Sequence, residues 1–162
     1  MIPTSDNQQK YENYKIQFQR LAKALANDFN LEAMFIEYAI MEDRTESILR
    51  HAGLWEAYVK HIKNRMPTID TKIRYIEKCA EDKKSMLHRY FEDDLLQDVL
   101  EWKEKRNRMI HALLKQKFET GEIKSLAEQG NEMVKKLRTR VGNYNRMLER
   151  QRKVERQDEV RN

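Results

Sequence analysis

A chain of 162 residues is long enough for one well-packed domain and too short to expect two. Hydrophobic residues make up 40% and charged residues 36%, with only 4 Gly and 2 Pro, so a core can form but the turn residues of an all-β fold are missing. The net charge is +5, and residues 101–162 hold 17 Lys/Arg against 10 Asp/Glu, an asymmetry that fits a polyanionic partner and equally a solvated basic helix.

After a polar leader, YENYKIQFQRLAKALANDF spaces Tyr14, Phe18, Leu21 and Leu25 along one face of an amphipathic helix. NDFN breaks it, with Asn30 placed to cap a second helix. There Leu31, Met34, Phe35, Tyr38 and Met41 form an apolar stripe that resumes at Ile48 and Leu49. Gly53 is a natural C-terminal stop. LWEAYVKHIKNRMP predicts a helical turn or two closed by Pro67. Thr68 or Asp70 opens the next helix, which carries Ile73, Ile76 and Cys79 or Ala80 inward.

From Phe91 to Phe118 the apolar spacing is helical again through Leu95, Leu96, Val99, Trp102, Met109, Ile110, Leu113 and Leu114, faltering across KEKRN, where a bend or break is expected. Gly121 ends that stretch. A last helix runs from Ile123 through Met133, Leu137 and Val141, with Gly142 a weak point, and the charged residues of about 150–162 are expected to fray. The economical architecture is all-α: one domain over 1–162, an antiparallel bundle of about five long helices.

The single Cys79 cannot close an internal disulfide and no metal-type cysteine spacing occurs, which fits a reducing cytoplasm. The leader MIPTSDNQQK has no apolar segment, so no signal peptide is expected. No apolar run approaches the roughly 18–20 residues of a membrane span. Glycine-rich phosphate loops, nucleophile elbows and paired-histidine metal motifs are absent from the sequence, so neither a metal nor another cofactor is expected.

One segment carries chemistry. In EWKEKRNRMIHALLKQ, Asn107 and His111 are four apart and share a helical face. Arg106 stands about 140° around from His111 and roughly 7.5 Å along the axis, a gap that only a long side chain can bridge. A guanidinium offers permanent, planar donors to phosphate oxygens, and an imidazole moves protons near neutrality. Together they suit RNA cleavage without a metal, in which the ribose 2′-hydroxyl attacks the adjacent phosphorus. Such cleavage needs an acid as well as a base, and the motif supplies one histidine. A symmetric dimer would bring two copies to one cleft. A second arginine and histidine at helical spacing, Arg44 and His51, lie in the early helix.

Long helices, a basic C-terminal part and RNRMIH in a late helix resemble the HEPN superfamily (higher eukaryotes and prokaryotes nucleotide-binding), whose ribonucleases carry Arg-x4–6-His with a polar residue directly after the arginine. The resemblance implies Arg106 and His111 as catalytic and Asn107 as an orienting auxiliary. It implies an acidic or polar helper from an earlier helix, for which Glu42 of MEDRTE is available. It also implies a homodimer acting on RNA, in prokaryotic defence or as the toxin paired with an antitoxin protein or RNA. Arg138, Arg140, Arg146 and Arg150 of the basic tail would guide RNA, and Trp55, Trp102 and Tyr144 are aromatics able to stack on bases, although the spacing of Trp102 from Val99 and Met109 is that of a core residue. Two other readings stay open: a HEPN-like protein that binds nucleotide or RNA without cutting it, and a structural helical protein that binds a partner helix.

Overall fold

The computed structural model describes residues 7–63 and 65–161. The first six residues of the leader lie outside this range. The described chain is all-helical: α1 (Asn7–Ala26), α2 (Asn30–His51), α3 (Trp55–His61), α4 (Ile69–Ala80), α5 (Met86–Phe91), α6 (Leu95–Ala112) and α7 (Thr120–Arg161). Seven helices thus stand where about five were expected. Two of the seven are short: α3, where a helical turn or two was expected, and α5, which was not expected and is opened by Ser85, whose side chain accepts from the His88 N–H. None of the helices is long and apolar enough to cross a membrane.

Local chemistry explains most boundaries. Gly53, at φ +71°, ends α2 with Leu54 N–H donating to the Leu49 carbonyl and Gly53 N–H to that of Arg50. Asp28, at φ +56°, closes α1 in the same way, with Phe29 N–H donating to Ala24. Asn30 is not the cap of α2; it is buried within the first turn, and Phe29 holds the cap position. Thr68 caps α4 through a reciprocal pair with Thr71. Thr68→Ala should therefore cost about 1 kcal/mol in urea unfolding. A variant as stable as the parent would show that the cap is not needed.

Helix α1 folds back on α2, with Arg20 against Glu32 and Tyr14 against Asp43. Helix α6 runs antiparallel to α7, its Trp102 Nε1 donating to the Leu126 carbonyl at 2.8 Å. Helix α7 runs parallel to α2, however, because Glu37, Ser47 and His51 meet Gly130, Asn145 and Arg152 in the same order. The bundle is thus of mixed direction. Ala127, Gly130, Val134, Leu137, Val141 and Tyr144 are all buried along α7, alternating by three and four residues, which makes a continuous seam. That seam carries the helix through Gly142, which faces open space, so the expected weak point does not form. The helix continues to Arg161, with the side chains from Gln151 to Glu159 all exposed.

Helix α6 also lacks the expected break. Lys103 and Arg106 lie on its core-facing side and find partners there: Lys103 with Asp70 at 2.5 Å and Glu104 at 2.8 Å, Arg106 over the Tyr38 ring. The helix stops at Ala112, short of Phe118, and Gly121 lies inside the first turn of α7.

Candidate functional site

Arg106, Asn107 and His111 all sit on α6, but they do not share a side of it. Arg106 points toward α2, its guanidinium carbon 5.0 Å from the centroid of Tyr38. One of its nitrogens donates to Asn107 Oδ1 at 3.0 Å, while its Nε is buried without a hydrogen-bond partner among the described residues. Burial lowers the pKa of this arginine from its usual value. His111 is exposed on the other side of the helix, at the wall of a groove against α7. The two groups that the spacing was expected to unite therefore face different surroundings within one chain. A separation of about 140° outweighs the reach of the arginine, because Arg106 falls in register with Trp102, Lys103 and Met109 on the buried stripe.

The surroundings of Arg106 form a polar layer where α2, α4 and α6 meet. Lys72 is buried and faces Glu42 at 3.5 Å and Glu46 at 3.4 Å. Lys103 takes Asp70 and Glu104; burial alone would lower its pKa, and those hydrogen bonds raise it. Tyr38 is shifted up by burial first, then by the nearby Glu42 carboxylate. Glu42, Glu46, Asp70 and Glu104 are thus each matched to a lysine, and Arg106 has no carboxylate partner among the described residues. Glu42, expected as a catalytic helper, belongs to this layer and partners Lys72; it lies on the Arg106 side of α6, away from the groove that holds His111.

That groove, of about 950 Å³, lies between the C-terminal end of α6 and the start of α7. His111, Lys105, Arg108 and Lys115 line it, with Met109, Phe118 and Leu126 as its apolar floor. None of the three cations has an ion pair among the described residues. The one carboxylate at the groove is Glu122, which accepts from the Glu119 N–H at 2.9 Å. Sequence reasoning passed over Lys105, Arg108 and Lys115. Their signal was present as two cations one turn apart on the outer side of α6 and a third just past its end.

The tail arginines divide. Arg140 is engaged in the fold: it donates to the Tyr90 carbonyl at 3.0 Å and pairs with Asp93 at 2.7 Å, and that bond holds the Asp93 carboxyl below the ordinary carboxylate range. Arg138 stacks on Phe18 and lines a smaller groove with Lys10, Tyr11 and Lys15. Arg146 is exposed and donates to Asn143, and Arg150 is exposed. Tyr144 and Trp102 are both 1% exposed and cannot stack on bases. Trp55 is covered on one face by Arg50. In the second arginine–histidine pair, Arg44 packs on Tyr14 and pairs with Asp43, and His51 Nδ1 is 2.9 Å from the Ser47 carbonyl oxygen.

Several large apolar side chains are exposed at one end of the bundle. Phe29, Leu31 and Phe35 project from the start of α2, and Leu114 follows α6, all exposed. The antiparallel run of α2 and α6 puts them at the same end of the molecule. No protein-family profile, curated protein or solved structure matches this chain.

Proposed function

We propose that the protein is a metal-independent endoribonuclease that works as a homodimer, as the resemblance of RNRMIH to the HEPN ribonuclease signature implies. The observation that carries this reading is the state of Arg106. Among the described residues it is a half-buried guanidinium held by an amide and an aromatic ring, in a layer where Glu42, Glu46, Asp70 and Glu104 are matched to lysines. A desolvated cation left without a counter-charge is prepared for an anion brought by a ligand, and a phosphodiester supplies one with matching geometry.

In the proposed reaction the 2′-hydroxyl attacks phosphorus as an imidazole takes its proton, and the departing 5′-oxygen receives a proton from a second imidazole. The products are a 2′,3′-cyclic phosphate and a free 5′-hydroxyl. One chain contributes one exposed His111, and its Arg106 faces elsewhere, so the reaction calls for a second copy. The exposed Phe29, Leu31, Phe35 and Leu114 offer an apolar surface on which a second copy could close. Asn107, bonded to Arg106, would hold the guanidinium toward the phosphate. A cytoplasmic defence role, or pairing as a toxin with an antitoxin, follows from the same resemblance.

The test is cleavage of mixed RNA in EDTA by the wild type and by His111→Ala. Loss of about a hundredfold or more in rate is expected, in line with removal of a general acid–base group. Failure of the wild type to release cyclic-phosphate ends, or equal cleavage by the variant, would overturn the reading. A strict monomer in solution would do the same. A second reading, RNA binding without cleavage, is favoured by the separation of Arg106 and His111 around α6, and it predicts binding with no cut ends.

A further inference from the structure

We infer that the groove between the end of α6 and the start of α7 is the track for the phosphate backbone of single-stranded RNA, held by Lys105, Arg108 and Lys115, with His111 at its wall. This deepens the proposed function by placing the polymer, and it takes from that reading only the identity of the polyanion.

Three features of the groove point to it. First, its cations are uncommitted: Lys105, Arg108 and Lys115 have no ion pair among the described residues, whereas Lys72, Lys103 and Arg140 are all spent on carboxylates. Three neighbouring cations against the single acid Glu122 give the groove a net positive field that attracts an anion. Second, they form a row. Lys105 and Arg108 are about 4.5 Å apart along the α6 axis. Lys115 continues the row past the helix end, its N–H bonded to the Ala112 carbonyl at 2.8 Å. Third, the opposite wall on α7 is nearly neutral. Ser125 and Gln129 stand there, joined by a hydrogen bond of 3.3 Å, and Glu122 is the one acid. Neutral hydrogen-bonding groups facing a cationic row suit a sugar–phosphate chain, which offers hydroxyls on one side and phosphates on the other.

The basic tail is the competing location. Its arginines alternate with Glu149, Glu155, Asp158 and Glu159. Arg150 also lies roughly 37 Å along α7 from Ser125, so the tail and the groove cannot hold the same few nucleotides. They can be told apart.

The experiment measures binding of a fluorescent 20-nucleotide single-stranded RNA of mixed sequence by anisotropy, at several KCl concentrations. The wild type is compared with a groove triple (Lys105→Gln, Arg108→Gln, Lys115→Gln) and a tail triple (Arg146→Gln, Arg150→Gln, Lys153→Gln). All six residues are exposed, and thermal unfolding of each protein reports whether it is intact. The groove triple is expected to lose at least about tenfold in affinity and about 2 from the slope of log K against log salt, at roughly 0.7 per lost contact. The tail triple should lose less on both counts. An equal or larger loss in the tail triple would overturn the inference, as would a wild type that does not bind RNA. Competition by poly-glutamate as strong as by unlabelled RNA would also overturn it, in favour of an acidic protein partner. A wild type that binds through the groove but cuts nothing would leave the track in place and sink the nuclease reading alone.

Discussion

Acidifying the protein from pH 8 to pH 5 is expected to make it more stable, and Glu37→Gln to abolish that gain. Glu37 lies on the core side of α2 and is 0% exposed, and neither of its carboxyl oxygens has a hydrogen-bond partner among the described residues. Burial raises its pKa from 4.5 to about 8. Below pH 4.5 both the folded and the unfolded chain hold the proton, and the group does not oppose folding. Between 4.5 and 8 the unfolded chain releases it while the folded one keeps it, so each unit of pH costs about 1.4 kcal/mol of stability. Above 8 the folded carboxyl ionises as well and the loss levels off, at several kcal/mol in total. Asp43 and Asp93 act in a lower window. Burial would raise Asp43, but bonds from Lys10, Tyr14 and Arg44 hold it down, and Arg140 does the same for Asp93. Both carboxyls stabilise the fold above their ordinary pKa of 3.8 and cease to do so only as the pH falls below it. Urea midpoints taken at pH 5, 6.5 and 8 test this. A wild type whose midpoint is flat or climbs across that range would contradict it, as would a sloping Glu37→Gln.

The second large effect comes from the residue facing that carboxyl. Gly130→Ala should destabilise the protein by about 2–4 kcal/mol, although alanine is the better helix former by about 1 kcal/mol. A Cβ at this position would lie 2.1 Å from Glu37 Oε2 and 2.7 Å from Trp102 Cζ2. Trp102 cannot withdraw, being buried with its Nε1 fixed to the Leu126 carbonyl. Helix α7 would have to move away from α2, opening the longest seam in the molecule. Gly142→Ala is the internal comparison: nothing lies within 4 Å of its Cβ position, so the substitution should stabilise by roughly 0.5–1 kcal/mol. Chemical unfolding of the two variants side by side gives the answer, and the argument fails if both shift in the same direction. In Glu37→Ala/Gly130→Ala, removal of one of the two obstructing side chains should recover part of the loss, a coupling of about 1 kcal/mol or more.

Much of the fold was legible in the residues. The α7 stripe, the Met34, Met41, Ile48 and Leu49 part of the α2 stripe, the Gly53 stop, the Thr68 cap and the core position of Trp102 follow from spacing and cap chemistry, which act over one or two helical turns. Leu31 and Phe35, expected in the same α2 stripe, are exposed instead. Glu37 was legible in part as well, since it falls between Met34 and Met41 on an otherwise apolar face. Three features were not. Helix α5 depends on a single short turn with weak periodicity. The unbroken course of α6 depends on Asp70 and Tyr38, which reach Lys103 and Arg106 from other helices. The parallel run of α7 beside α2 is set by how the intervening helices reverse the chain.

For the candidate site the division is similar. By itself the sequence determined that Arg106, Asn107 and His111 share one helix, that cations recur along its outer side, and that the charge excess lies in the C-terminal part. Only the tertiary structure decided which of these groups remain available. It turned Arg106 inward onto Tyr38, committed Arg140 to Asp93, and opened a groove beside His111; among the described residues Arg106 has no carboxylate partner and Lys105, Arg108 and Lys115 have no ion pair. The physical reason is that helical periodicity is a local property, whereas a charge is free or spent according to partners brought from distant parts of the chain.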